Sequence, residues 1–432
     1  MATLTPRAPG GPSAESRWSA NQAKGGGRRL SAWIRTMLDR PLTSYHLVLA
    51  AAGLLVALGM LMVLSASSVS AYVNYDDAYY YVKRQAFFLF VGLIGIVVIV
   101  KLPPRGLKIA GWAGLFASAL MLILTYTPLG IEFQGNRNWL QLGPSFMRLQ
   151  PSEFAKLALI VWGADVLARK QKLLDQPKHL LVPYLPAAGL IVLLIVFQGD
   201  AGTAAVVIGI VGAVLWMIGA PLRLFAALAA AGVVGMAALV LSSPTRISRF
   251  EAFLNPTVAV DGINHQSTVG MYAIASGGWW GVGLGASRQK WGSLPEAHSD
   301  FIFAVIGEEL GLFGSLVVLG MFLVLAYAGI RIALRSDDNF NRYVAAGTTA
   351  WFMVQALINL GCVLRLLPIA GVPLPLVSYG GSALMANLAG IGLLLACARR
   401  EPAARAVLER RRRPPTPRMT TVVGSRTSRG SD

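Results

Sequence analysis

Residues 47–64 read LVLAAAGLLVALGMLMVL and carry no charge. A helix of roughly 20 such residues crosses the hydrocarbon of a bilayer. Working outward from that stretch, comparable apolar blocks fall at about 43–64, 85–101, 107–128, 153–169, 180–197, 203–219, 221–241, 300–330, 343–364 and 379–398. Composition agrees, since 55% of the 432 residues are apolar and only 13% are charged. An average soluble domain carries about 25% charged residues. The expected fold is an all-α integral membrane protein of about ten transmembrane helices. That excludes a soluble enzyme, a disulfide-stapled secreted domain and a disordered scaffold. Cys362 and Cys397 both sit in apolar surroundings, so neither a redox framework nor a metal cluster is expected. The first block starts too deep and runs too long for a cleaved signal peptide.

The formal charge of +18 invites a nucleic-acid reading, but its placement argues for a membrane. Residues 1–42 are polar, basic and rich in Gly, Pro and Ser, and residues 401–432 carry an Arg run at 410–413. Both read as disordered basic tails flanking a membrane domain at 43–400. With the N-terminus in the cytoplasm and ten alternating spans, 28 of the 38 Lys and Arg fall on the cytoplasmic side and nine outside. The positive-inside bias therefore puts both termini in the cytoplasm. The basic tails also suit contact with anionic lipid heads.

The connections are short except for residues 242–299, a large extracytoplasmic loop between spans 7 and 8. Long loops of this kind tend to be functional. It holds Arg246, Arg249, Glu251, Asp261, His265, Arg288, Lys290, Glu296 and His298, and a Gly-rich middle, SGGWWGVGLG, at 276–285. No Lys-Ser or Lys-Thr follows that run, so it is no phosphate loop. It reads as interfacial backbone near the headgroups.

Ionisable groups at membrane depth are costly and so become functional candidates. In QPSEFAK, Pro151 suits a first helical turn, and Glu153 and Lys156 share a helical face three residues apart, with Arg148 just ahead. Either this is a capped helix end with a snorkelling lysine, or Lys156 works inside the membrane. In PEAHSDFIFAVIGEELG, Asp300 opens a long apolar helix and reads as an N-cap or as a reactive carboxylate, with Glu296, His298 and Glu308 nearby. Asp300 and Glu308 are eight residues apart, about 12 Å along a helix. That is too far for two carboxylates to share one glycosidic bond. In LPIAGVPLPLVSYGGS, three prolines and several glycines break any straight helix, and irregular backbone at this depth must be buried in protein or line a cavity. Ser378 and Tyr379 then point into that cavity, or the segment is a kinked helix end. There is no HExxH, GxSxG or Walker sequence. Chemistry here has to use an already activated substrate presented from the bilayer.

Taken together, GNRNWLQLG and RLQPSEFAKL within 135–157, the run from Asn264 to Gly311, and GVPLPLVSYGGS at 371–382 resemble the SEDS family (shape, elongation, division and sporulation). The resemblance covers nearly the whole membrane region and is strongest to division-associated members. The long basic tails are similar to those of actinobacterial members. One local departure is that Asn138, rather than Arg, precedes Trp139, which leaves the role of Arg137 open.

The resemblance implies a peptidoglycan glycosyltransferase that polymerises lipid II at the outer face of the cytoplasmic membrane, at the division septum. Its implied partners are a class B penicillin-binding protein acting as transpeptidase and other division membrane proteins; nucleic acid is not among them. Asp300 matches the family's aspartate after PEAH and is expected to be the general base on the acceptor 4-hydroxyl. Lys156, Glu153, Arg148 and Ser378 match further functional positions. Arg148, Lys156, Arg246 and Arg249 are candidates to meet the charge on the leaving diphosphate, with His298 beside the base. Lys156 binds that diphosphate or orients Asp300; both readings stand. The diphosphate leaving group supplies the driving force, so no cofactor is required, and a divalent cation (Mg or Mn) is left open. Two rival readings are a lipid II flippase and a non-enzymatic scaffold that recruits the transpeptidase.

Overall fold

The computed structural model describes residues 40–133, 136–141, 143, 148–171, 182–241, 244–254, 263–291 and 294–412. The expected tails at 1–39 and from 413 onward, and Asp261 in the long loop, lie outside the described residues. In chain order the helices are α1 (Thr43–Tyr75), α2 (Tyr80–Lys101), α3 (Pro104–Leu124), α4 (Pro151–Arg169), α5 (Tyr184–Phe197), α6 (Ala201–Ile218), α7 (Leu222–Leu241), α8 (Pro244–Leu254), α9 (Ile263–Gly277), α10 (Ile302–Arg335), α11 (Asn339–Val363), α12 (Gly381–Arg399) and α13 (Pro402–Arg412). The molecule is a multi-pass helical membrane protein. By length and composition, α1, α2, α3, α6, α10, α11 and α12 can cross a bilayer. The other three expected spans coincide with α4, α5 and α7. α4 carries Glu153, Lys156, Asp165 and Arg169, and α5 has only 14 residues. The polar stretch after 400 begins as a helix, α13, instead of irregular chain.

A feature absent from the all-α expectation is a small antiparallel sheet between α3 and α4. Its strands are β1 (Gly130–Phe133), β2 (Asn136–Gln141) and β3 (Arg148–Leu149), with Gly130 opposite Leu140 and Leu140 opposite Leu149. Asn138 and Leu140 are buried while Arg137 is exposed, the two-residue period of a strand covered on one face. The backbone N–H of Arg137 donates to the carbonyl of Gln198 (3.1 Å), which ties the sheet to the end of α5.

α12 is the most enclosed of the spans and lies against α2, α1 and α11, while α10 packs on α1, α9 and α11. The sheet, the turn before α10 and the Pro-Gly segment gather at one end of this bundle. There the N–H of Tyr379 meets the carbonyl of His298 (3.0 Å), and the Ser382 hydroxyl accepts from the N–H of Gln150 (3.2 Å). At the opposite end Asp165 is held by Arg169 (2.7 Å) and Lys108 (3.4 Å), and Arg400 Nη2 donates to the Leu102 carbonyl (2.7 Å).

α10 is broken at Gly311, whose φ of 67° and ψ of −163° no helix contains. A break at membrane depth strands polar backbone groups that lipid cannot satisfy. The Gly-rich run supplies the partners. The N–H groups of Val282 and Gly283 donate to the carbonyls of Glu308 (2.9 Å) and Glu309 (3.1 Å). Those of Leu312 and Phe313 donate to Gly278 (2.9 Å) and Trp279 (3.3 Å). SGGWWGVGLG is thus a backbone splint across a broken helix, not merely chain near the headgroups. The side chains of Glu308 and Glu309 secure the next turn. Glu308 accepts from the Ser287 hydroxyl (2.5 Å) and the N–H of Arg288 (2.9 Å), and Glu309 from Ser65 (2.7 Å) and Lys290 (3.3 Å). A Cβ at Gly311 would strike the N of Gly281 and approach the carbonyl of Trp279 to 2.7 Å. Gly311→Ala is therefore expected to cost about 1–3 kcal/mol in backbone strain before any clash. A thermal melt in detergent should fall by several degrees; an unshifted melt would show that the splint carries no strain.

Candidate functional site

Asp300 stands in the turn just before α10. Sequence offered two roles, cap or reactive group, and the structure separates them. The N-cap of α10 is Phe301, and no side chain caps this helix. Ser299 is not a cap either, since its hydroxyl donates to Glu296 Oε2 (2.7 Å). Asp300 is half-buried and makes no ion pair among the described residues. Desolvation, then the nearby carboxylates of Glu296 and Asp200, push its pKa up to about 7. An uncapped, unpaired carboxylate balanced near neutrality is a group whose proton is available for chemistry.

Its position is held through the backbone on either side. Asn359 Nδ2, on α11, donates both to the Asp300 carbonyl and to the Val372 carbonyl, each at 2.8 Å. Ser378 donates its hydroxyl to the Ser299 carbonyl (2.7 Å) and accepts from the N–H of Leu374 (2.8 Å). Gln85 Nε2 on α2 reaches the Ser378 carbonyl (3.2 Å). The Pro-Gly segment at 367–380 is therefore irregular backbone, mostly buried in protein over 372–378, and clamped to the turn that carries Asp300. Gly371 leaves room there: a Cβ at that position would lie 3.7 Å from Asp300 Oδ2. Ser378, expected to face a cavity, spends its one donor and one of its acceptor lone pairs on this clamp.

Asp200 escaped the sequence reading. It caps α6, accepting from the N–H and the hydroxyl of Thr203, both at 2.9 Å. It also accepts from Asn138 Nδ2 on β2 (3.1 Å) and Gln150 Nε2 before α4 (3.2 Å). Four donors thus converge on one buried carboxylate near Asp300. At the next turn Gly202 presses against the Ala370 carbonyl and the Val372 side chain. The sheet, α4, α6 and the Pro-Gly segment thus meet on this one acid. An Asp ahead of Ala-Gly-Thr and an apolar run was the available signal, a cap signature.

The remaining expected site residues divide by burial. Lys156 and Glu153 pair at 2.7 Å, fully buried on α4. Lys156 also reaches Gln355 Oε1 (2.9 Å) and lies 5.2 Å from the Trp351 ring centroid. It forms no ion pair with Asp300 among the described residues and has no exposed face toward a substrate. Gln355 Nε2 in turn donates to the Pro373 carbonyl (2.9 Å). Lys156 thus connects to the Asp300 turn through α11 and the Pro-Gly segment. Arg148 is exposed on β3. Arg137 Nη2 donates to the Thr127 carbonyl (2.9 Å), a hairpin contact. Arg246 and Arg249 lie on α8, their side chains outside the described set. His298 packs between Tyr81 (4.6 Å) and Tyr379 (5.3 Å), and burial holds its pKa down against the pull of Glu296. Arg84 shares a hydrogen bond with Tyr379, and its buried Nε has no partner among the described residues.

Among the described residues no group of three His, Cys, Asp or Glu could hold a metal ion. Asp200 is already saturated by its four donors.

These multi-pass helices are those of a membrane protein, and residues 45–402 match the model of the family described as Cell cycle protein, the FtsW, RodA and SpoVE group. The chain belongs to that family. It is 42% identical over 381 residues to the probable peptidoglycan glycosyltransferase FtsW of Mycobacterium tuberculosis, covering 88% of this chain and 72% of the relative. A chain from a solved peptidoglycan synthase complex, in which polymerization and crosslinking are coordinated, superposes with a TM-score of 0.68 at 29% identity, over 82% of this chain and 97% of that one. The rod shape determining protein RodA of Thermus thermophilus superposes at 0.60, with 28% identity over 85% of this chain and 99% of that one.

Proposed function

We propose that this protein is a glycosyltransferase that polymerises lipid II into glycan strands, with Asp300 as the general base. The observation that carries the proposal is Asp300 itself, neither a helix cap nor in an ion pair among the described residues, and pushed up to about 7 at a turn clamped by Asn359 and Ser378. The carboxylate takes the proton of the acceptor sugar's 4-hydroxyl, the oxygen attacks the anomeric carbon of the donor, and the polyprenyl diphosphate leaves with the bonding pair. A base is most effective with a pKa near the operating pH. Cations should sit where the diphosphate gains charge. Arg148 remains a candidate, joined by Arg84, whose Nε has no partner among the described residues; the burial of Lys156 argues for a structural part instead. The Lys and Arg distribution supports ten spans, cytoplasmic termini and a site that opens outward from the cytoplasmic membrane. The family description, Cell cycle protein, supports a setting in division, and the related complex that coordinates polymerization with crosslinking supports a crosslinking partner, for which a class B penicillin-binding protein is the expected candidate.

The test is to supply lipid II to the purified chain with its transpeptidase and resolve the products on a gel. Glycan should form, and its rate should climb as pH rises through about 7 and then level off, because only the ionised base works. A rate independent of pH between about 5 and 9 would remove Asp300 from the proton step. Lipid II moved between leaflets without bond formation would favour a flippase, and no glycan with intact recruitment of the transpeptidase would favour a scaffold.

A further inference from the structure

The α1–α2 hairpin carries tyrosines in an arrangement the proposed reaction does not use. Interfacial tyrosines usually project one by one toward the headgroups. Here the rings touch. Tyr75, the last residue of α1, stacks on Tyr80 with centroids 3.9 Å apart and planes 10° from parallel. Tyr81 meets both edge-on, at 5.8 Å and 5.4 Å. The line continues from Tyr81 to His298 (4.6 Å) and to Tyr379 (5.1 Å), and His298 is two residues from Asp300. At the other end it opens outward at Tyr75, which is 49% exposed, near the exposed Tyr72 and Tyr79 of the same hairpin. α1 has 33 residues, roughly 50 Å of helix against about 30 Å of hydrocarbon, so it overshoots a bilayer and has length to lift these rings toward water. The turn beneath is pinned, with Asp77 bridged to Lys83 (2.8 Å) and accepting the N–H of Tyr79 (3.0 Å).

We propose that Tyr75, Tyr80 and Tyr81 form a sugar-binding platform along which the glycan strand lies beside Asp300. This rests on the glycosyltransferase reading above. The occupant follows from continuity, since the rings begin at the residues flanking the proposed base and run to solvent. Rigid aromatic faces with a polar tip give large contact at low entropic cost. They stack on successive rings without reading sequence, as aromatic platforms do for nucleic-acid bases. A polymer of repeating sugars needs that tolerance, because it must slide by one repeat after each addition.

The experiment uses the full chain with its transpeptidase and lipid II, and reads glycan length on a gel. Losing a stacked ring weakens the hold on the order of tenfold, so Tyr75→Ala and Tyr80→Ala should shorten the median strand by about that factor. Tyr75→Phe keeps the ring and should restore the length. A wild-type length distribution from the alanine variants overturns the platform. So does shortening by Tyr75→Phe equal to that by Tyr75→Ala, and so does release of the transpeptidase by Tyr75→Ala, which would make the face a protein contact. Should both alanine variants fail to fold, Tyr75→Phe with Tyr80→Phe must still give full-length strands, and shorter ones overturn the platform. A parent protein that makes no glycan at all removes the glycosyltransferase reading instead, which distinguishes the two failures.

Discussion

An Asp300→Asn protein is expected to make no glycan that a gel resolves, while melting no lower than its parent. The substitution is nearly isosteric and removes only the proton acceptor. General-base catalysis contributes about 10²–10⁴-fold, so the residual rate should fall by at least the lower figure. Stability should move the other way. The carboxylate's pKa is raised in the folded protein, so ionising it as pH climbs through about 7 works against folding. An uncharged amide at the same place carries no such penalty. Neither its role as a helix cap nor an ion partner is lost, because Asp300 has neither among the described residues. Loss of activity together with loss of the fold would mean that Asp300 is structural, and full polymerisation by the variant would end its assignment as base. Asp300→Glu tests reach: the base survives one methylene out of place, so a partial rate is expected, well below the parent.

The helices were legible because a bilayer leaves the chain few choices. Every backbone polar group must be satisfied within the segment, so long apolar blocks such as 47–64 become helices, and their edges show in the composition. Asp300 was legible for the opposite reason, as a charge placed where an apolar helix starts. The sheet was not, because β2 is six residues long and its alternation is lost beside helices several times its length. The splint across Gly311 was beyond reach as well. Its hydrogen bonds join residues 278–283 to 308–313 through backbone groups that every residue carries, so no side-chain pattern announces them. Asn359 and Asp200 were hidden by ambiguity. An Asn in an apolar stretch of helix and an Asp before a helix each have common local uses, and only the fold reveals that one clamps the Asp300 carbonyl and the other gathers four donors. The depth of Lys156 was visible in sequence, but its company was not, since Gln355 and Trp351 come from nearly 200 residues downstream.

That company leads to the second large effect. Lys156→Met should destabilise the protein by about 3–5 kcal/mol, the usual result of removing one member of a buried ion pair and leaving the other charge alone. The carboxylate of Glu153 is 1% exposed and would be left without its cation. Polymerisation should fall with it, but through position. Gln355 Nε2 holds Pro373, and that segment is clamped to the Asp300 turn. The double variant Lys156→Met with Glu153→Gln separates this account from direct substrate contact. No unpaired charge remains, and Gln355 Oε1 still accepts from Trp351 Nε1 (2.7 Å), so α11 keeps its grip on the Pro-Gly segment. Most of the lost stability, and with it most of the polymerisation rate, should return. A lysine that grasped the diphosphate predicts the reverse: a double variant that melts like the parent yet stays inactive, with a raised KM for lipid II. Melting curves and kinetics on the three proteins decide between the two, and a stable, inactive double variant would return Lys156 to the substrate.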